Sequence, residues 1–231
     1  MDIKIVSWNI WCDGHFDQIA EFLKGCNADI IGLQEVLSHS KQIPVVDLLT
    51  SLGYTHAYGQ AFTMSLANGK TEEMGNAVFS KYPIVGSTVH ALSEEKKRIA
   101  VQADINVSGT VLHVFSTHLV HSHQQPSEIQ ELQAETLIKA LPKEKTIVMG
   151  DFNATPDSNA VKQMRSALVD TDPSSAPTWS VYPEGCPECK PQKIDTRLDY
   201  IFATADIKIS SPKVESSKGS DHLPISVVVS F

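Results

Sequence analysis

VMGDFNATPDS, residues 148–158, sets an apolar run against an abrupt polar end. Gly150 closes the run, and Asp151 and Asn153 follow with only Phe152 between them. Successive side chains of an extended chain point to opposite faces, so an acid and an amide two residues apart share a side. They are placed either to share one ligand or to open a turn.

Outward from this stretch, strand and helix patterns alternate. KTIVMGDFN reads as a strand between two helices, PSEIQELQAETLIKAL and SNAVKQMRSAL, the first with Ser127 and Gln130 spaced as a capping box. The first half has the same arrangement. IKIVSWNI is a strand, HFDQIAEFLKGC puts Phe16, Ile19, Ala20 and Leu23 on one helical face, and DIIGLQEV is a second strand. A helix after Pro44 stops at Gly53. YTHAYGQAF, GNAVFS, PIVGSTVHAL, RIAVQADINV and TVLHVFSTHL read as strands, as do RLDYIFAT, IKISSPKVE and ISVVVSF. The stretch 170–196 is loop-like, rich in Pro, Ser and Cys. The expected fold is α/β: a four-layered sandwich, two mostly antiparallel sheets packed face to face with helices outside.

Composition bounds the function. A chain of 231 residues without an obvious linker fits one domain, 1–231. The net charge of −8 argues against binding nucleic acid through bulk positive charge, although a bound cation supplies such charge locally. No stretch reaches the roughly 20 apolar residues of a spanning helix, and MDIKIVSWNI has no signal-peptide layout. A soluble, cytoplasmic monomer without stable membrane insertion is expected. The four cysteines are too few and scattered for a disulfide scaffold.

Other strand patterns end as Val148–Asn153 does. SWN ends in Asn9, GLQE in Glu35 and FSTH in His118, while GSDH offers Asp221 and His222 before the last strand. Strand ends in layered α/β folds are where side chains from distant segments converge. Asp199 is buried by its own sequence, between Leu198 and Tyr200-Ile201-Phe202, and is costly there unless paired. Each residue alone reads as a cap, a turn or a solvated strand end; the set together points to chemistry. Two carboxylates about 4 Å apart repel by about 4 kcal/mol at an effective dielectric of about 20. Glu35, Asp151, Asp199 and Asp221 could gather only around protons or a cation. All are oxygen donors, which select Mg²⁺ or Mn²⁺. With His118 and His222 for proton transfer or hydrogen bonding to an anion, the set describes phosphate-ester hydrolysis.

SWNI, LQEV, STHL, GDFNATPDS, RLDYIF and SDHLPI stand in the order and spacing of the endonuclease/exonuclease/phosphatase superfamily, from Ser7 to Ile225. The chain resembles that superfamily, which has the fold of pancreatic deoxyribonuclease, exonuclease III and the neutral sphingomyelinases. The resemblance implies a Mg²⁺ ion held by Glu35 with help from Asn9 and Asp221, Mn²⁺ being the alternative. It implies that Asp151 orients or deprotonates the attacking water and that Asn153 binds a phosphate oxygen. His118 and His222 would contact the phosphate and the leaving oxygen, and Asp199 would fix the tautomer of His222. Trp11 and His118 replace an acid and a tyrosine of the abasic-site repair branch, so the chain leans away from that activity. In the pancreatic-nuclease branch a glutamate orients the histidine; Glu72 and Glu73 are the candidates here, and Asn76 is a candidate site-lining residue. The expected activity is phosphodiester hydrolysis, nuclease-like or on a small diester, with nucleic acid or a nucleotide among the substrates. A phospholipid or inositol-phosphate headgroup hydrolase of the sphingomyelinase kind is the alternative. A catalytically inactive binding module on the same fold is the alternative of another class, and the intact motifs weigh against it.

Cys186 and Cys189 in CPEC have metal-knuckle or redox spacing, but a zinc site needs two further ligands and no second C-x-x-C exists. In HLVHSH, His121 and His123 are expected on the loop after the strand, and spacing alone defines no cage there. EEKKR reads as a solvated turn ending in Arg98, a phosphate-contact candidate. Trp11 and Trp179 read as packing residues that could also stack on a base or sugar. No phosphate-binding or dinucleotide glycine loop, H-E-x-x-H or G-x-S-x-G is present. The loops at 60–73, 121–127 and 170–196 are expected to choose the substrate.

Overall fold

In the computed structural model, residues 1–12, 14–38, 44–65, 69, 71–94 and 97–231 are described. Among the described residues, twelve strands form two six-stranded sheets. The first has the order β11 (Lys208–Val214), β12 (Ile225–Ser230), β1 (Ile3–Asn9), β2 (Ile30–Ser38), β4 (Thr71–Ser80), β3 (Thr55–Ser65). The second has the order β5 (Ile84–Ala91), β6 (Ile99–Val107), β7 (Thr110–His118), β8 (Thr146–Asp151), β10 (Asp199–Ala203), β9 (Val169–Asp170). Each sheet contains one parallel pair, β1 with β2 and β7 with β8, and its other pairs are antiparallel. A parallel pair needs a crossover. Helix α1 (Phe16–Gly25) supplies the first and α3 (Glu128–Ala140) the second.

Alternation along the strands builds four layers. Ile3 and Ile5 of β1, Leu112 and Val114 of β7, Ile147 and Met149 of β8, and Val227 and Val229 of β12 fill the seam between the sheets. The opposite face of the first sheet packs Val6, Trp8 and Leu33 under α1 and α2 (Pro44–Ser51). The opposite face of the second packs Phe115, Val148, Phe152 and Phe202 under α3 and α4 (Asn159–Ala167). The expected sandwich is therefore the observed one. Of the expected capping box at α3, one half forms: Ser127 Oγ accepts the Gln130 N–H at 3.3 Å. The Gln130 side chain instead donates to the carbonyls of Val120 and Asn153, tying α3 to the ends of β7 and β8. The helix expected after Pro44 is α2, while the segment before it, 39–43, the tip of the 60–73 loop, and Glu95 and Lys96 of EEKKR lie outside the described residues. Among the described residues no helix is long and apolar enough to cross a membrane.

Candidate active site

The register brings the polar strand ends to one rim. The two parallel pairs end together, Asn9 beside Gln34 and His118 beside Asp151. Antiparallel β10 starts where β8 ends, so Asp199 is the cross-strand partner of Asp151. Antiparallel β12 starts opposite Ser7, which delivers Asp221 and His222 to the same edge. Two bonds hold that last loop against β1: Trp8 Nε1 donates to the His222 carbonyl at 2.9 Å, and Ser220 Oγ donates to the Asn9 carbonyl at 2.7 Å.

Asn9, His118, Asp151 and Asp199 continue the face that carries the apolar seam, so they emerge where that seam ends. Glu35 gets there differently. The pairing of β2 with β4 slips between Leu33 and Val36, and Glu35 lies in the slip with φ +57°. Regular alternation would put it on the helix-covered face with Leu33. The bulge turns its carboxylate toward Asn9 Nδ2, 3.2 Å away. A left-handed non-glycine residue costs about 1–2 kcal/mol. Asn153, at φ +50°, is of a type that tolerates this region better. Gly150 has a steric task. A Cβ there would fall 1.9 Å from the Thr117 carbonyl oxygen, so only glycine lets β7 and β8 close up behind His118 and Asp151.

Trp11, Glu35, Arg98, His118, Asp151, Asn153, Asp221 and His222 line one cavity of about 180 Å³, with His121, Trp179 and Gly185 at its edge. Asp199 stands behind it. His222 Nδ1 lies 2.9 Å from Asp199 Oδ2, which also accepts Thr178 Oγ1 at 2.6 Å. On the other side of the ring, His222 Nε2 faces Asp151 Oδ2 at 3.6 Å. Asp151 accepts from Asn9 Nδ2 at 3.0 Å and from the Asn153 backbone N–H at 2.7 Å. His118 Nε2 is 3.4 Å from Asp151 Oδ2 and 3.9 Å from Glu35 Oε1. Asp221 Oδ2 accepts Trp179 Nε1 at 3.0 Å.

The two histidines carry opposite charge tendencies. Burial opposes the charged form of His222, but Asp199, Asp151 and Asp221 outweigh it and hold the ring well above the ordinary imidazole range. At His118 burial acts with Arg98, His222 and His121, and the ring falls well below that range. Arg98 Nη1 lies 3.2 Å from His118 Nδ1. A guanidinium only donates, and the Asn153 amide Nδ2 lies 2.9 Å from Nε2, so donors face both ring nitrogens. Burial also pushes the Asp151 carboxyl up, with His222 opposing and Asp199 adding.

Asp151, Asp199 and His222 bring ligand-type atoms within 4.8 Å of one another. His222 Nδ1 and Asp199 Oδ2 are engaged with each other, so this trio reads as a hydrogen-bonded relay rather than a cation cage. Glu35 is the carboxylate turned to the open cavity, its side chain 19% exposed. Glu35 and Asp221 offer the hard oxygen donors that suit a divalent cation, while Asn9 turns its Nδ2 to Glu35 and Asp151 and its Oδ1 accepts the Trp11 N–H at 3.0 Å.

Some side chains stand where the motifs did not point. Arg98, rather than Glu72 or Glu73, touches His118 Nδ1. Asn76 is buried and donates to the Ile99 carbonyl, tying β4 to β6, outside the cavity lining. Thr178 and Trp179 lie within the 170–196 stretch, where Trp179 bridges to Thr196 and to His222. No motif marks these two, because their contacts are to residues some 20 and 40 positions away, Thr178 to Asp199 and Trp179 to Asp221. Trp11 is stacked on Tyr182, with ring centroids 5.8 Å apart.

A family model described as the Endonuclease/Exonuclease/phosphatase family matches residues 6–222. Among solved structures, an endonuclease/exonuclease/phosphatase from Beutenbergia cavernae DSM 12333 superposes with a TM-score of 0.82 at 22% identity, covering 100% of this chain and 72% of the other. The human Nocturnin catalytic domain with bound sulfate anion gives 0.75 at 22% identity, covering 100% and 94%. A mannosyl-6-phosphatase from Bacteroides thetaiotaomicron VPI-5482 gives 0.72 at 18% identity, covering 99% and 100%. No curated protein is a significant sequence match.

Proposed function

The chain belongs to the endonuclease/exonuclease/phosphatase family, and from that premise we propose that it is a Mg²⁺-dependent phosphoesterase acting on a phosphodiester. Family members are phosphoester hydrolases. The observation that carries the reading is the single cavity onto which Glu35, Arg98, His118, Asp151, Asn153, Asp221 and His222 all open, with Asp199 bonded to His222 behind it. Glu35, Asp221 and Asn9 would hold the ion. Bound there, a divalent cation neutralises the carboxylates and polarises a phosphoryl oxygen.

The protein's own groups divide the remaining work. Asp151, fixed by the Asn9 amide and the Asn153 N–H, accepts the proton of an attacking water. His118 Nε2 and Asn153 Nδ2, 2.9 Å apart, stand on the same wall of the cavity, where a phosphoryl oxygen would meet them. Arg98 adds positive charge to the same wall. His222, held as imidazolium by Asp199, donates toward the leaving oxygen. A cavity of about 180 Å³ is smaller than the 300–1,000 Å³ typical of drug-sized ligands. It suits a phosphoryl group with a short ester arm, which favours a small diester or a nucleic-acid end over a deeply enclosed lipid headgroup.

The test is a panel of bis-p-nitrophenyl phosphate, p-nitrophenyl phosphate, plasmid and single-stranded DNA, RNA and sphingomyelin, each with Mg²⁺, Mn²⁺ or EDTA. Turnover of a diester that EDTA abolishes is the expected result. Absence of turnover across the panel, together with no heat of Mg²⁺ binding, would instead support a binding module.

A further inference from the structure

Two loops at the cavity edge bring together a second set of ligand-type side chains. His121 and His123 follow β7, while Cys186 and Cys189 follow the 3₁₀ turn Pro183–Gly185. Their ligand atoms all lie within 4.8 Å of one another. His123 Nδ1 is 3.7 Å from Cys186 Sγ and 3.5 Å from Cys189 Sγ. With Zn–S near 2.3 Å and Zn–N near 2.0–2.1 Å, tetrahedral angles put a nitrogen and a sulfur on one ion about 3.5 Å apart. The H-x-H loop thus stands where the two ligands missing from the C-x-x-C pair would be needed.

The surroundings of Cys186 and His123 fit a metal. The Cys189 N–H donates to Cys186 Sγ at 3.0 Å, so a backbone donor faces that sulfur. His123 Nε2, the ring nitrogen turned away from the sulfurs, lies 3.2 Å from Glu188 Oε2. A carboxylate on the far nitrogen is what orients a metal-bound imidazole and raises its basicity. Cys186 is buried with Trp179 and Leu198, so one side of the cluster is dry.

We propose that His121, His123, Cys186 and Cys189 form a Cys₂His₂ site for a zinc-class divalent cation, which clamps together the two loops framing the cavity. Soft sulfur and imidazole donors distinguish it from the oxygen set around Glu35. His121 and Gly185 both line the cavity, so the clamp sets its mouth. The structure joins Cys186 and Cys189 as a disulfide, and the cation binds the dithiol form. A dithiol reductant passes two electrons and two protons to the S–S bond and closes to its own disulfide. The cation then displaces both protons and forms two thiolate bonds.

Reduced, metal-free protein, its thiols confirmed by thiol titration, is titrated with Co²⁺. The expected result is a thiolate-to-cobalt charge-transfer band and tetrahedral d–d bands that saturate at one equivalent and vanish when Zn²⁺ is added. Glu35→Gln keeps the charge-transfer band, since oxygen donors do not produce it. Cys189→Ser weakens it, and His121→Ala and His123→Ala each shift the d–d bands. A fully reduced wild-type protein without the charge-transfer band overturns the proposal, whatever the variants do. Spectra unchanged in both histidine variants overturn the Cys₂His₂ assignment. No arm reads phosphoesterase activity, so failure here leaves the reading of the active site standing.

Discussion

The carboxylate–histidine set hangs from strand ends, whereas the cysteine–histidine set a few residues along the same chain segments hangs from loops. In the first, ladder register fixes position: His118 lies beside Asp151 and Asp151 beside Asp199 because the backbones are hydrogen-bonded there. Almost every member is buried, and each buried group has named partners, Thr178 and His222 for Asp199 and Asn9 and Asn153 for Asp151. In the second, Cys186 is buried, but the His123 and Glu188 side chains are 48% and 75% exposed. No ladder joins the two loops. The difference teaches a division of labour: sheets hold reacting groups to the tolerance chemistry needs, and loops that shape the entrance need a cross-link to hold theirs.

The largest effect that would separate the two regions is on the strand-borne set. Asp151→Asn and His222→Ala should each lower turnover of the preferred diester by at least the roughly 10²–10³-fold typical of a lost stabilising group, with melting temperature and circular dichroism showing a retained fold. Cys189→Ser should leave the chemical step within a few-fold of wild type. Near-normal turnover in His222→Ala, or a loss in Cys189→Ser as deep as in Asp151→Asn, would erase the contrast.

Glu35→Gln comes next. The amide keeps the shape and the Asn9 contact while removing the charge aimed at the cavity. Activity should need at least 10–100-fold more Mg²⁺, judging from what loss of even an outer-shell partner costs a metal site. Partial recovery at high Mg²⁺ is the signature; an unchanged Mg²⁺ dependence would remove Glu35 from the ion's surroundings.

How far each region was legible in the sequence follows from how it is held. Along β1 the seam face reads Ile3, Ile5, Ser7, Asn9; along β7 it reads Leu112, Val114, Ser116, His118; along β8, Ile147 and Met149 lead to Asp151. Period-two patterning alone thus exposes polar residues at the ends of buried faces. Glu35 is out of phase with that pattern, and only its motif marked it, because a bulge rather than alternation aims it. Arg98 ends a charged run that gives no hint of its partner His118, and Thr178 sits in a Pro- and Ser-rich loop. The Cys–His cluster was visible only as two incomplete halves, since nothing local says that residues 121–123 meet 186–189.

Gly185 joins the two regions, and substituting it gives a smaller effect. A Cβ there would fall 2.4 Å from Asp221 Oδ2, the carboxylate that also accepts Trp179 Nε1. Overpacking of this kind costs about 1–3 kcal/mol, and here the side chain that must yield belongs to the proposed ion site. Gly185→Ala should weaken Mg²⁺-dependent activity by roughly tenfold, the rate equivalent of about 1.4 kcal/mol. Kinetics identical to wild type would show that the loop gives way freely and transmits nothing to the rim.

The smallest effect concerns Glu188, which touches no proposed cation directly. Its carboxylate meets His123 Nε2 at 3.2 Å while three-quarters exposed, so solvent screens much of the interaction. Glu188→Gln still offers an amide oxygen to the ring N–H but removes the charge that faces it. Cobalt affinity at the reduced loop site should fall toward the lower end of the 10–100-fold range for outer-shell partners, with the charge-transfer band itself unchanged in position. The sulfur ligands stay the same, so the spectrum should keep its shape and only the midpoint should move. A midpoint that does not move would make the Glu188–His123 contact incidental. The loops would then be positioned by the four ligands alone, without the supporting layer of hydrogen bonds that surrounds Asp151 and Asp199 on the strands.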